Sequence, residues 1–521
     1  MSTEPAAADT ASNVVLGYAP GSAARLDRRY ITAALMLVMV LASMEQTITS
    51  TAMPTMIGDL HGFEHYSWVV SIYLLALTVS MPLYGRLADV LGRKPVILGA
   101  ILIFSVASAC AAFAHTMGQL ILFRGLQGLG AGGIMPVVLT ILGDIFTLEE
   151  RATIQGLFSA IWGTASLAGP ALGAFLVSTL GWRSIFFVNL PTGAFAGLVL
   201  IWKYHDREKP HSTDLDLPGV FTLSIACTAA LLLASGVGPA GWAAAWSAGL
   251  FVVAAIALVA FVRIERTAPN PIMPPALMMG RAIGPAMLGS FLLGAGFLCL
   301  DTYVPLYVQG GRGGGVGAAA SVVTPVMLTW ALSGIIAAPL VVRWGFRNTA
   351  ILGSGLVILS FVGLLLCAFF SAPHWVLTAV LALSGCGFGP ASMSYLLAAQ
   401  HSVAWQQRGI ITSGIQFFRT IGGAIGTGLL GMMFNLLIRP EVQHLRSAGI
   451  EPGKLLELSA HDQLPPDILH SVQHMISAGL LWVFLAMLAF ACCQVLASAL
   501  MVRGRSTEPL TRAEAIEAMA A

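Results

Sequence analysis

Long apolar stretches recur along almost the whole chain, and no other feature restricts its possible folds so strongly. A helix needs about 20 mostly apolar residues to cross the hydrocarbon core of a bilayer. Stretches of this kind lie at roughly residues 31–54, 67–88, 95–115, 118–142, 153–178, 184–203, 217–236, 243–263, 283–308, 318–342, 349–371, 374–398, 410–437 and 475–502. Their apolar residues do not alternate with polar ones, which excludes the strands of a membrane β-barrel. The chain is therefore predicted to be an all-α polytopic membrane protein with 14 transmembrane helices.

The composition argues against most other classes of protein. Of the 521 residues, 57% are hydrophobic and only 10% are charged, and 26 Lys and Arg nearly balance 24 Asp and Glu. An average soluble protein has about 25% charged residues. Such a chain is not a basic nucleic-acid binder, a disordered protein or a soluble enzyme. The seven cysteines lie in apolar stretches without a CxxC pair, so we expect buried thiols rather than disulfides.

The basic residues predict the orientation in the membrane. If the N-terminus is cytoplasmic, the inner loops and tails hold 19 Lys and Arg and the outer loops hold five. Arg124 and Arg419 lie within spans. Three of the five basic residues in the outer loops fall in one long loop, 438–474, where the positive-inside rule has little weight. We therefore expect both termini in the cytoplasm and an even number of spans.

The loop between the second and third spans carries the first motif. Residues 85–98 read GRLADVLGRKPVIL, and its candidate residues are Gly85, Asp89, Gly92, Arg93 and Lys94. Glycine lets helices approach closely, and an acid–base cluster at a helix junction can latch two bundles in one conformation. Positive-inside anchoring alone explains the two basic residues, but neither Asp89 nor the glycines.

Together with three further motifs, this loop resembles the major facilitator superfamily. Residues 120–133, LILFRGLQGLGAGG, resemble the family's motif in the fourth span. Residues 44–55, MEQTITSTAMPT, resemble the first-span motif of its fourteen-span drug:proton antiporters, with Glu45 where Asp is usual. The resemblance extends from about residue 30 to 435. It implies a major facilitator fold of two six-helix bundles, here with two inserted helices.

The second half of the sequence supports a duplication of the six-helix bundle. Residues 341–347, VVRWGFR, are a degenerate echo of residues 85–94 that keeps basic residues and a glycine but has no acid. Other matches in this half are YVPLYVQ at 303–309, Gln400, Arg408, Gly409, Thr412, Arg419, Gly422, Gly423 and Gly426. We expect a cytoplasmic tail (1–29), a first bundle (30–203), a linker with the two additional helices (204–281), a second bundle (282–502, including the outer loop 438–474) and a second cytoplasmic tail (503–521).

The fifth predicted span contains GTASLAGPALGA at residues 163–174, which is similar to the antiporter motif of the family. Gly163, Gly169, Pro170 and Gly173 match it, whereas Ala165 and Ala174 stand where glycine is usual. From the residues alone, small side chains let helices touch and proline bends the span. The resemblance implies more, namely that the bend shapes a cavity and suppresses leak in favour of antiport.

Four charged residues lie well within predicted spans: Glu45, Arg124, Asp301 and Arg419. Each costs about 2.5–3.5 kcal/mol at a helix centre, so each is a candidate functional residue. Glu45 and Arg124 are expected at a similar depth, roughly 9–14 Å below the outer surface. We hypothesise that Glu45 carries a coupled proton or meets a cationic substrate and that Arg124 controls its charge. A static ion pair between two helices is the alternative.

The other two intramembrane charges leave more than one interpretation open. Asp301 lies outside the family motifs, and it could be a second proton or cation site, cap a broken helix or face an outer vestibule. Arg419 matches the family pattern and could bond a neighbouring helix or contact substrate. Candidate residues of a substrate cavity, where aromatic and soft side chains suit apolar or cationic ligands, are Gln46, Trp68, Tyr73, Gln127, Trp162, Trp330, Gln416 and Phe417.

These observations predict a transporter rather than an enzyme. No phosphate-binding G-x-x-x-x-G-K-[ST] motif and no HExxH metal motif is present, so we expect a proton gradient and no cofactor or metal to drive the protein. The predicted function is proton-coupled efflux of small lipophilic or cationic drugs by alternating access in the inner or plasma membrane. The alternatives are a dedicated exporter of one metabolite, siderophore or lipid, and a non-transporting receptor or assembly partner. Because some fourteen-span relatives use a periplasmic adaptor and an outer-membrane channel, both are candidate partners.

Overall fold

The structure is a computed structural model, and it describes most of the apolar chain. The described residues are 22–60, 66–146, 175–206, 216–235, 243–314, 316–404, 407–447 and 466–502, together with positions 150, 154, 157, 158, 161, 165, 168, 169, 172 and 173. Most of the predicted span 153–178, the linker residues 207–215, both ends of the chain and residues 448–465 lie outside this set.

The described residues are almost entirely helical, as their apolar composition predicts. The helices are α1 (Ser22–Leu60), α2 (Tyr66–Leu91), α3 (Arg93–Ala112), α4 (Met117–Ile145), α5 (Ser184–Phe187), α6 (Asn189–Lys203), α7 (Leu217–Ser235), α8 (Ala243–Thr267), α9 (Pro275–Met278), α10 (Gly284–Leu306), α11 (Val316–Phe369), α12 (His374–His401), α13 (Arg408–Ser447) and α14 (Pro466–Leu500). A π-helical turn, Tyr307–Gly311, follows α10.

The helices agree with the predicted spans wherever the chain is described. Ten described helical segments are long and apolar enough to cross a membrane, and one of these, within α11, is 53 residues long and holds two predicted spans. Helices α1 and α7 cover the predicted spans 31–54 and 217–236. Large apolar side chains point outward, including Leu102 (63% exposed), Phe251 (64%) and Ile256 (65%). An apolar exterior of this kind is suited to contact with lipid.

Two glycines with positive φ turn the chain at equivalent junctions of the two halves. Gly92, with φ 96° and ψ 157°, separates α2 from α3. Gly345, with φ 79° and ψ 168°, divides α11 into two helices. Residues with a side chain rarely adopt such a φ, whereas glycine does so readily. The shared geometry supports the internal duplication inferred from residues 341–347.

The described helices form two compact units, each with its own packing. The first comprises residues 1–151, 165–215 and 403–413, and the second comprises residues 152–164, 216–402 and 414–521. The two additional helices α7 and α8 thus belong with the second unit by their contacts. The helices on either side of the predicted outer loop 438–474 are longer than expected, since α13 continues to Ser447 and α14 begins at Pro466.

Candidate functional site

A buried ion pair lies inside the first unit. Arg124 on α4 donates from Nη1 to Oε1 of Glu45 on α1 at 2.6 Å. The two residues are 1% and 2% exposed, respectively. The sequence predicts a similar depth for the two residues, and in the structure they form a pair. A buried charge of either sign is tolerated only when it is paired and hydrogen-bonded, so the two side chains depend on each other.

The ion pair is part of a closed ring of hydrogen bonds. Arg124 Nη1 also donates to Gln127 Oε1 at 2.6 Å, and Gln127 Nε2 donates to Ser108 Oγ at 2.7 Å. Asn189 closes the ring through its Nδ2, which donates to Glu45 Oε2 at 2.6 Å and to Ser108 Oγ at 3.1 Å. The ring joins α1, α3, α4 and α6, and all five side chains are buried.

Two further side chains complete the surroundings of this ring. Thr49, one turn after Glu45 on α1, donates to Glu45 Oε1 at 3.0 Å. The guanidinium carbon of Arg124 lies 4.2 Å from the ring centre of Tyr73 on α2, and Arg124 Nε donates to the carbonyl of Val69 at 3.3 Å. Both oxygens of Glu45 therefore accept hydrogen bonds, which stabilises its ionised form.

Asn189, Ser108 and Thr49 were not predicted as site residues from the sequence. Asn189 is the first residue of α6, and single polar residues are common at the ends of membrane helices. Ser108 and Thr49 are small polar residues in apolar stretches, which usually bond to their own helix backbone. Only the contacts between helices distinguish them from many similar residues in the chain.

The residues of the 85–98 motif form a second charged cluster in the first unit. Arg93 lies between two carboxylates: its Nη2 is 3.1 Å from Asp89 Oδ1, and its Nε is 3.1 Å from Asp144 Oδ2. Asp89 also accepts backbone N–H groups of Gly409 at 3.1 Å and Ile410 at 2.8 Å, in the first turn of α13. The start of a helix favours a negative charge, so Asp89 acts as its anionic cap.

Glycine is required at position 85 because another helix approaches closely there, and Asp206 lies at the turn made by Gly92. A Cβ at Gly85 would collide with the side chain of Ser413 and lie 2.7 Å from the carbonyl of Gly409. Asp206 accepts the backbone N–H groups of Arg93 and Lys94, each at 3.1 Å, and thereby caps α3.

The remaining candidate of this motif, Lys94, bonds the backbone. Its Nζ donates to the carbonyl of Ile201 at 2.7 Å. The cluster also includes Arg408, whose Nη1 lies 3.5 Å from Asp144 Oδ1 and donates to the carbonyl of Gly143 at 3.1 Å. The structure thus brings the predicted motif residues together. Asp144 and Asp206, which the sequence analysis did not single out, hold them there.

The antiporter motif is described only in part. Gly169 and Gly173 are buried helical residues, and a Cβ at Gly173 would lie 3.4 Å from Ile48 of α1, which is ordinary contact distance. Trp162, Gly163 and Pro170 lie outside the described residues, as does the side chain of Gln46. The predicted bend in this span stays a prediction.

The second unit contains the other candidate residues, apart from Trp68. Asp301 on α10 and Arg419 on α13 are partly buried, and within the described part of the unit neither side chain has a hydrogen-bond or ion-pair partner. Gln416 and Phe417 are buried at 3% and 5% exposure. The ring centre of Trp330 lies 4.6 Å from that of Phe297 and 5.4 Å from that of Phe388. Trp68, in the first unit, is half-buried near the start of α2. Gln127 is a member of the polar ring, and Tyr73 lies against Arg124.

Comparison with known proteins agrees with this architecture. The family model of the Major Facilitator Superfamily matches residues 35–427. The multidrug transporter protein MdtP of Bacillus subtilis (strain 168) is 35% identical over 410 residues, covering 78% of this chain and 75% of its own. Multidrug resistance protein 3 of the same organism is 30% identical over 483 residues, covering 89% and 93% of the two chains.

A solved structure shows the same fold at low sequence identity. The crystal structure of the human organic anion transporter MFSD10 (TETRAN) superposes with a TM-score of 0.58 at 14% identity, covering 89% of this chain and 99% of that one. The match of the sequence to the family model extends over most of the chain. The protein is therefore a multi-pass membrane transporter that belongs to the Major Facilitator Superfamily.

Proposed function

We propose that the protein exports small lipophilic or cationic compounds in exchange for protons, by alternating access. The observation that carries this proposal is the Glu45 carboxylate, which is buried, accepts bonds at both oxygens and faces a single arginine. The multidrug names of two relatives support the substrate class. The distribution of basic residues supports an orientation with both termini in the cytoplasm.

The ring supplies a way to couple proton binding to movement. While Arg124 and Asn189 bond Glu45, the ionised carboxylate is stabilised. When helix movement separates α1 from α4 or α6, the carboxylate loses these donors and binds a proton more readily. Return of the donors expels the proton. The Asp89–Arg93–Asp144 cluster serves as a latch that stabilises one conformation and opens in the other.

The driving force is sufficient for useful export. One proton moving across 100 mV releases about 2.3 kcal/mol, and each pH unit adds about 1.4 kcal/mol. Together they would support roughly a 500-fold gradient of a neutral substrate per proton, since 1.4 kcal/mol corresponds to a factor of ten.

A proton-flux assay in proteoliposomes tests the proposed function. The vesicles are loaded at acidic pH with a pH-sensitive dye, and tetraphenylphosphonium, ethidium or rhodamine 6G is added outside. We expect each cation to trigger alkalinisation of the lumen as protons leave in exchange. A response to only one compound would favour a dedicated exporter. Folded protein that gives no response to any compound would contradict the proposal and favour a receptor.

Asn189 should act as a positioning residue for Glu45. Asn189→Ala removes the donor to Oε2, and a hydrogen bond to a charged group contributes about 1.5–3 kcal/mol. We expect substrate-triggered proton release to slow by roughly tenfold or more, while tetraphenylphosphonium binds with unchanged affinity. Asn189→Gln, which keeps an amide donor, should restore part of the rate. An alanine variant as fast as the wild type would show that Asn189 only packs.

A further inference from the structure

Two adjacent charged side chains bond the N-terminal end of α1 to other parts of the first unit. Arg28 donates from Nη2 to the carbonyl of Ile145, the last residue of α4, at 2.6 Å. The same Nη2 lies 2.7 Å from Oε2 of Glu150. Oδ1 of Asp27 lies 2.8 Å from Nζ of Lys203, the last residue of α6. We call these three bonds the α1 clamp.

The α1 clamp joins the same three helices as the principal bonds of the buried polar ring. In the ring, Glu45 of α1 bonds Arg124 of α4 and Asn189 of α6. In the clamp, Arg28 bonds the end of α4 and Asp27 bonds the end of α6. Arg28 and Glu45 lie about 26 Å apart along α1, since a helix rises about 1.5 Å for each residue. Helix α1 is therefore held to both neighbours at two levels.

The bond from Arg28 also connects α1 to the helix end that the latch cluster holds. The last three residues of α4, 143–145, each bond a different arginine. Arg408 donates to the carbonyl of the first, Arg93 pairs with the carboxylate of the second, and Arg28 donates to the carbonyl of the third. The C-terminal end of a helix carries partial negative charge, which favours arginine there. A movement that separates α1 from α4 must break one of these three contacts.

The clamp differs from the polar ring in its exposure to solvent. The side chains of Arg28 and Glu150 are 22% and 45% exposed, and those of Lys203 and Asp27 are 44% and 33% exposed. An exposed ion pair contributes little, enough to shift an equilibrium by up to about fivefold. Bonds of this strength can break and form again in every transport cycle, whereas breaking a buried pair is far more costly.

We propose that Asp27 and Arg28 are positioning residues, which hold α1 against α4 and α6 while Glu45 keeps its bonds in the ring. Both sets of bonds secure one helix, so the loss of either set leaves α1 held at a single level. The clamp and the ring should therefore open together despite their separation. The role of this movement in proton exchange rests on the proposed function, whereas the link between the clamp and the ring does not.

A distance between two spin labels, measured by electron paramagnetic resonance without substrate or gradient, tests this link. The labels are attached to cysteines that replace Ala33, an exposed residue of α1, and Trp202, a 75% exposed residue of α6. Serines replace Cys492 and Cys493, which are exposed and would otherwise take up the label. We expect a single narrow distribution of distances in this parent protein.

Substitutions at the two levels should have the same effect on this distance. We expect Arg28→Gln to increase the population with a longer distance between α1 and α6 by up to about fivefold. Glu45→Gln should increase the same population from about 26 Å away. Asn189→Ala removes another bond of the ring and gives a second test if Glu45→Gln does not fold. Exchange of the charges in Asp27→Lys with Lys203→Asp should restore the parent distribution.

Arg29→Gln is the matched control, because it removes an exposed charge of α1 beside the clamp. Its distribution of distances should equal that of the parent. A parent-like distribution in both Glu45→Gln and Asn189→Ala would overturn the link, and so would an equal change in Arg29→Gln. A linked change of distance in a protein without substrate-triggered proton release would support the link and refute the proposed export.

Discussion

Glu45→Gln is expected to abolish substrate-triggered proton release in acid-loaded proteoliposomes. Glutamine has almost the same shape and keeps an oxygen that accepts from Arg124, but it has no proton to exchange at any ordinary pH. The rate should fall by roughly a hundredfold or more, since proton exchange is the step that the proposed cycle requires. Exchange of labelled against unlabelled tetraphenylphosphonium, which needs no proton, should continue in this variant.

The continued exchange is what distinguishes a coupling residue from a structural one. Glu441→Gln makes the same change at an exposed position near the end of α13, and it should transport as the wild type does. If Glu45→Gln still releases protons on addition of substrate, Glu45 is not the coupling group. If the variant loses both proton release and exchange, the carboxylate is required for folding or movement instead.

Arg124→Leu should destabilise the protein more than any other single change in the ring. It leaves Glu45 buried without a countercharge, and breaking a buried pair in this way costs about 3–5 kcal/mol. Denaturant titration of the protein in micelles, followed by tryptophan fluorescence, measures the loss in free energy of unfolding. Arg183→Leu is a matched control, because its ion pair with Asp59 is 3.5 Å long and exposed, and it should cost less than about 1 kcal/mol.

The double variant with Glu45→Gln and Arg124→Leu shows whether the loss in free energy of unfolding comes from the unpaired charge. Since the Glu45→Gln substitution removes the negative charge, Arg124→Leu should be less harmful in that background. We expect the two effects to fall short of additivity by about 0.5–3 kcal/mol, the range seen for residues in contact. Fully additive losses would mean that Arg124 stabilises the unit through Tyr73 or Gln127 rather than through Glu45.

The fold was predictable from the sequence because a membrane helix needs only local information. Length and apolar composition determine each span, and the backbone bonds of a helix lie within that span. The pairing of Glu45 with Arg124 was also within reach, since their positions along two helices place them at similar depth. The glycine turn at Gly345 could be anticipated from its likeness to Gly92.

The rest of the site depends on how the helices rotate and pack, which composition does not determine. Asn189 becomes part of the ring only because α6 presents its first residue to α1 and α3. Asp206 lies beyond the end of α6, and its capping of α3 is a contact between residues more than 100 positions apart. Asp301 was recognised as unusual from the sequence, but only the structure shows that it is partly buried on α10.

The two glycine junctions differ in how well they would tolerate a spectroscopic reporter. Near Gly92, Asp89, Arg93 and Asp206 take part in a cap or an ion pair, so a label attached to one of them would change the cluster that it was meant to observe. The Gly345 junction has no acid in its motif, and Arg343 and Trp344 beside it are exposed. A fluorophore attached at position 343 would follow the kinked helix α11 during turnover and leave the charged cluster intact. The part of the duplicated motif that lost its acid is thus the better place from which to watch the transporter move.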